Sequence, residues 1–367
     1  MHLKLLAIIA VLLFQLFLSI DSAHGAPLKV GFLYGGSASD LGWNNSHDNG
    51  RQYLQKEMKG QVETEYVENV PENSDAERVM EKMIRNGDKL IFCTSYAFLE
   101  PMLRVAKRHQ EVRFMHCGRQ IQPLENNVGS YFAPYQEPLY ASGIVAGRMT
   151  KTNELGYIGG HPIPAVLWCI NAFTLGAQSV NPKVKVHVVW TNSWADASVE
   201  AEAAKSLLDH HCDVLVSSLN TSMNVAKTAE KGDAYTVSVN YDLHDYITHG
   251  FLTGQAWNWG PLYAKIAQSV ADGSWKPANL RYPLKDHYVK LAQIGSEVPA
   301  PVRKDANTAL QQIETGTLKI FKGPLKDRTG KLRLAAGESA DYQWLESTDW
   351  FVEGVEGNLP SKNSTKN

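Results

Sequence analysis

Basic runs are missing from this chain: its lysines and arginines are scattered, and the formal net charge is −2. That excludes the positive stripe of a nucleic-acid binder. Cysteine is scarce, with four in 367 residues, Cys93, Cys117, Cys169 and Cys212, and none in CxxC spacing. Four cysteines in a chain this long make no disulfide scaffold, zinc ribbon or dithiol redox centre. One bridge within each half is conceivable, and inert buried thiols are at least as consistent. Histidines 116, 161, 210, 211 and 249 show no i,i+4 ligand pairing, which leaves no metal-site pattern. There is no Gly-x-Ser-x-Gly elbow, no P-loop lysine and no GxGxxG, so Gly35-Gly36-Ser37 is only a weak phosphate-cradle signal. No catalytic machinery and no cofactor fingerprint is legible.

Long apolar runs are also missing, with one exception near the start. Leu5 to Ile20 follows a short positive segment and precedes the small-x-small sequence Ala23-His24-Gly25. This reads as a secretory signal peptide, residues 1–25, cut after Gly25. It is shorter than a comfortable membrane span, although an uncleaved anchor is the competing reading. No later stretch is long enough to cross a bilayer, and no cysteine adjoins the cut. The expectation is an exported, periplasmic protein.

What is present is ordinary globular material, 44% hydrophobic and 20% charged, long enough for two lobes. Short apolar segments of strand length alternate with helical patterns. Lys29–Tyr34, Val62–Val67, Lys89–Tyr96, Val112–Gly118 and Val128–Ala133 form a first series. Glu154–Gly160, Val184–Trp190, Asp213–Ser218 and Ala234–Val239 form a second. Runs apolar on both faces belong in parallel sheets covered by helices. The fold class is therefore α/β, two doubly wound parallel-sheet lobes. The expected division is residues 26–135 plus 255–295 in lobe 1 and 136–254 plus 296–360 in lobe 2, with a flexible tail at 361–367.

Open α/β sheets bind ligands outside the carboxyl ends of their strands. The residues at those ends are Asp40, Trp43, Asn44 and Tyr96 in the first series, and Trp168, Trp194, Asn220 and Asp242 in the second. Trp257 stands on a segment expected to cross back. Several of the nine tryptophans cluster at these ends. Indole faces stack flat rings, while carboxylates and amides hold polar edges. Each has a plainer role open to it. Asp40 can cap the helix that starts at Trp43, with Trp43 packed beneath; Asp242 can cap a helix; Trp168 and Trp257 can be core or lobe contacts; Trp190, inside a strand, reads as core.

Val30-Gly-Phe through Asp40-Leu-Gly-Trp-Asn-Asn-Ser-His-Asp-Asn-Gly-Arg51 resembles the opening of the basic membrane protein (Bmp, PnrA-like) family of ABC-transporter substrate-binding proteins. Met149–Gly156, Asn171–Ala177, Phe321–Asp327 and Phe351–Gly357 also fit, so the resemblance spans nearly all of the chain after the leader. It implies a type I periplasmic binding protein whose lobes, joined by a three-segment hinge, close on a ligand, mostly purine nucleosides or related bases. By position, Asp40 and Asn44 would supply polar contacts, Trp43 the neighbouring aromatic, Trp168 a second stacking face and Asp242 a later carboxylate. Trp194 and Trp257 would be further aromatic contacts. Relatives tend to carry an aspartate at the end of the strand written here Phe114–Gly118, and a lysine near Trp257–Gly260; both are absent. Losing groups that could serve a ribose favours a free base such as adenine, guanine or xanthine over a nucleoside.

The expected partners are a small-molecule ligand and an inner-membrane ABC permease, with no nucleic acid and a monomeric state. Rival readings are a sensory receptor for a membrane kinase, an exported nucleoside hydrolase using Asp40 and Asp242, and a binder of another small ligand (sugar, amino acid or signalling furanone). The hydrolase would want a clustered aspartate motif, which is not seen.

Overall fold

Buried strands set up the first layer of the computed structural model, which describes residues 26–359. The expected signal peptide and the loose tail lie outside those residues. Strand β1 (Leu28–Leu33) leads into helix α1 (Trp43–Glu57), then β2 (Val62–Val67), α2 (Asp75–Asn86), β3 (Leu90–Cys93), α3 (Leu99–Arg108), β4 (Arg113–Cys117) and β5 (Val128–Phe132). Side chains of β3 and β5 are buried throughout, as two-sided coverage requires. Helix α2 ends where Gly87 takes the left-handed conformation, φ 99°, a cap that glycine supplies without a Cβ clash.

The second layer repeats the scheme. Helix α4 (Gln136–Met149) precedes β6 (Glu154–Gly159), α5 (Pro164–Val180), β7 (Lys185–Trp190), α6 (Ala197–Asp209), β8 (Val214–Ser218), α7 (Met223–Lys231), β9 (Tyr235–Ser238) and β10 (Phe251–Trp257). Asp196 caps α6 by accepting from the amides of Ser198 and Val199. The chain then passes through α8 (Trp259–Ala271), β11 (Asn279–Arg281), β12 (Val289–Leu291) and α9 (Ala300–Glu314). A terminal arm follows, with the hairpin β13 (Leu325–Lys326) and β14 (Leu332–Leu334), α10 (Tyr342–Glu346) and β15 (Val355–Glu356).

Strand order is β11-β5-β4-β3-β1-β2 in the first sheet and β12-β10-β9-β8-β6-β7-β15 in the second. Every pairing in the two sheets is parallel except β10 with β12. The chain crosses between the sheets three times: at 133–135, at Asn258, and at 282–288.

This pairing corrects the expected lobe boundaries. The segment 255–295 is divided, because β10 and β12 hydrogen-bond within the second sheet and only α8 and β11 return to the first. Gly254 lies inside β10, where an added Cβ would sit 2.3 Å from the Ser238 carbonyl oxygen, so the strand's close approach requires glycine.

All four cysteines are free and buried. Cys93 packs with the α2 and α3 side of the first sheet, whereas Cys117 packs in the large cluster on its other face. Cys169 and Cys212 are likewise divided between the clusters on opposite faces of the second sheet. Strand alternation and sheet thickness hold each pair apart.

Candidate ligand-binding cleft

The carboxyl ends of the two sheets face each other across a cavity of about 370 Å³, near the small end of ligand pockets. The first lobe contributes Trp43 and Asn44 from the start of α1, Tyr96 after β3, and Arg119 and Gln120 after β4. The second lobe contributes Trp168 from α5, Trp194 after β7, and Asn220 after β8. Phe132 and Tyr135 line it from the first crossover, and Tyr342 and Glu346 from α10. Six of the nine residues singled out in the sequence thus meet in one place: Trp43, Asn44, Tyr96, Trp168, Trp194 and Asn220.

The other three do not line the cavity. Asp40 is a cap. Its carboxylate accepts hydrogen bonds from the backbone amides of Gly42, Asn44 and Asn45 at 2.9, 3.1 and 2.9 Å, and from Asn44 Nδ2 at 2.8 Å. Burial raises its pKa despite these donors. Asp242 accepts from the amides of His244 and Gln293 and ties a loop to the strand beside it. Trp257 is buried in an aromatic stack at the crossovers: its ring lies 4.4 Å from Trp259 and 5.3 Å from Tyr135, and its N–H donates to Asn240 Oδ1.

Packing leaves few polar groups free in the cleft. Asn44 is almost spent, since its Oδ1 accepts from the Gly36 amide and its Nδ2 donates to Asp40. Asn240 also lines the cavity, yet its amide is committed to Leu219 and Trp257. Among the described residues the Asn220 side chain makes no hydrogen bond, and its backbone carbonyl receives the Trp43 amide at 2.6 Å. Trp168 is 2% exposed, meets Tyr342 edge-on at 5.6 Å, and its buried N–H has no partner.

Charge sits on one side. Arg119 lies 5.5 Å above the Tyr96 ring. Burial raises the Tyr96 hydroxyl pKa, and burial pushes His116, just behind, down to about 4, so it is neutral. Glu72 accepts from the Ser95 hydroxyl, and Glu346 accepts from the Gln120 amide at 3.2 Å. The site is an aromatic slot with a polar end. Among the described residues no group of three or more His, Cys, Asp or Glu could hold a metal ion.

Sequence reasoning missed Arg119, Gln120, Glu346 and Tyr342. The first two follow a strand already placed in the sheet, so the strand-end rule could have found them. Nothing local marks the other two, which arrive from the far end of the chain.

The lobes touch at the mouth of the cleft. Gly42 and Thr221 form an antiparallel bridge, and Thr221 Oγ1 donates to the Leu41 carbonyl at 3.3 Å. A Cβ on Gly42 would lie 1.8 Å from the Asn220 carbonyl oxygen, so this clasp admits only glycine.

Two parallel sheets, three crossovers and a slot between their carboxyl edges match a known family. The family model of PnrA-like ABC-transporter substrate-binding proteins covers residues 28–322. The chain belongs to this family. Among its relatives is a purine-binding protein of Brucella abortus, 38% identical over 92% of this chain and 96% of that one. An ABC-transporter protein of Haloferax volcanii described as glucose-binding is 31% identical over 92% of this chain and 83% of its own. A solved ABC-transporter solute-binding protein of Aeropyrum pernix superposes with a TM-score of 0.69 at 17% identity, covering 80% of this chain and 93% of that one. Its likeness carries the fold. As a PnrA-like substrate-binding protein, the molecule holds a small ligand and has a permease as its partner.

Proposed function

We propose that this PnrA-like receptor is exported to the periplasm and carries a purine-type free base to its permease without chemical change. The observation that carries the reading is the slot between the lobes. Tyr96, Trp168, Trp194, Tyr342, Phe132 and Tyr135 surround a small cavity with few uncommitted polar groups. A flat heterocycle gains from stacking, about 1–3 kcal/mol per aromatic contact, and needs only a few hydrogen bonds to fix its edges. The Brucella abortus relative, similar over almost the whole chain, is a purine binder, which supports the same ligand class. No set of residues in the cleft combines a nucleophile, a base and an orienting group, which supports binding without catalysis.

Among the described residues no helix is long and apolar enough to cross a membrane, in keeping with a receptor that moves between solvent and permease. Calorimetric titration of the unliganded mature protein with adenine, guanine, xanthine and hypoxanthine, with their nucleosides and glucose as comparisons, tests the reading. At least one free base should bind with a Kd below about 10 μM, or about −7 kcal/mol, and tighter than its nucleoside. Binding of glucose alone, or of nucleosides over bases, contradicts it.

A further inference from the structure

Residues 323–359 lie beyond the segment matched by the family model, yet this arm returns to the cleft. Its attachment is specific. Asn171 Nδ2 donates to the Trp350 carbonyl at 3.0 Å, and the Val352 amide donates back to Asn171 Oδ1 at 2.9 Å. These bonds tie the arm to α5 of the second lobe, and Asp341 caps α10 by accepting from the Trp344 amide. Tyr342 and Glu346, one turn apart on α10, both line the cavity.

Glu346 is held from the first lobe as well. Its Oε1 accepts from the Gln120 amide at 3.2 Å and from Arg281 Nη2 at 3.4 Å. Arg281 is anchored in turn, donating to the Gly118 carbonyl at 2.6 Å and to Ser130 Oγ at 3.1 Å, with its guanidinium 4.8 Å over the Tyr342 ring. Among the described residues the second oxygen, Oε2, makes no hydrogen bond, and the side chain keeps 26% of its exposure. One oxygen is clamped and the other is uncommitted, on a side chain that lines the slot.

We infer that Glu346 is a specificity-determining residue, its free Oε2 selecting purines that present an exocyclic amino group. The inference rests on the purine reading above. A carboxylate oxygen only accepts, so an amino group facing it donates a charge-assisted hydrogen bond. A ring carbonyl in the same place sets acceptor against acceptor and leaves that oxygen without a donor, which is how a polar site rejects an analogue. The clamp by Arg281 and Gln120 removes the rotamer freedom that would let Glu346 turn away.

The test compares adenine and guanine with hypoxanthine, which lacks the amino group, in wild-type protein and in Glu346→Gln and Glu346→Asp, by calorimetric titration. Wild type should bind at least one amino base at least tenfold tighter than hypoxanthine. Glu346→Gln, which presents a donor or a weaker acceptor, and Glu346→Asp, which withdraws the carboxylate by one methylene, should both erase that preference. The melting temperature of either ligand-free variant should stay within a few degrees of wild type, because the arm is held mainly by Asn171. An amino preference that survives both substitutions, or a wild type that binds purines with no amino preference, overturns this inference alone. A wild type that binds no purine overturns the purine reading together with it.

Discussion

At the scale of single residues, Asp40 shows how a cap and a ligand contact share one signature. A short carboxylate before a helix serves either purpose with the same oxygens, and the four donors around Asp40 assign it to the helix. Asp40→Ala should therefore lower the stability of the empty protein, by about 1–2 kcal/mol, measured by urea denaturation. Unchanged stability with lost binding would return Asp40 to the ligand. Trp194→Ala works the other way. Its ring is only partly buried, so removal should leave the fold nearly as stable while costing ligand affinity about 1–3 kcal/mol. Trp257→Ala removes a ring packed between Trp259 and Tyr135 and should destabilise the empty protein by about 3–5 kcal/mol. Trp43, Tyr96, Trp168 and Trp194 were legible because the strand-end rule needs only local pattern. Glu346 was not, because its contact with Gln120 spans 226 residues and no local rule reaches that far.

Among the elements, the helices and inner strands were readable from caps and apolar runs. Gly87 closes α2 and Asp196 opens α6, ends that capping chemistry marks in the sequence, although the Ser74 side chain before α2 makes no capping bond. Strand β10 was misjudged because its sequence, Phe-Leu-Thr-Gly-Gln-Ala-Trp, mixes a glycine and a polar amide into a buried run. The Gln255 Oε1 accepts the Asn240 amide, while its buried Nε2 has no partner among the described residues. The lobes meet where the Leu41-Gly42 turn rests against Asn220-Thr221, and closing around a ligand should need this contact. Gly42→Ala places a methyl group on the Asn220 carbonyl, so the closed lobes cannot seat. Ligand affinity should fall by at least tenfold, and small-angle scattering should find the variant still extended at ligand concentrations that compact the wild type. The empty variant should unfold like wild type. A Gly42→Ala protein that compacts and binds normally would contradict the role of the clasp.

For the whole molecule, two parallel sheets followed from the alternation of strands and helices, but the route of the hinge did not. The run from His287 to Ile294 alternates as a strand should, and β12 forms inside it, but which sheet edge it joins depends on pairing with β10, which no local pattern encodes. Stability against pH is also set across strands. Asp88, just before β3 and 2% exposed, has its pKa raised to about 8 by burial and then by Glu65 on β2, with Lys29 opposing. Glu137, at the start of α4, is raised to about 7, chiefly by burial. A carboxyl raised above its unfolded value near 3.9 stabilises fully at pH below that value. The contribution is lost as pH climbs to the folded pKa. Wild-type stability should therefore decline between about pH 5 and pH 8.5. Asp88→Asn should gain on wild type by on the order of 1–3 kcal/mol more at pH 8.5 than at pH 5.5; an equal difference at both would contradict the assignment.

The central claim concerns what lies between the lobes when they close. Protein purified from its native host without added ligand, denatured and extracted, should release a purine base in near-stoichiometric amount on mass spectrometry. Release of a sugar, an amino acid or another non-purine molecule in that amount would contradict the account.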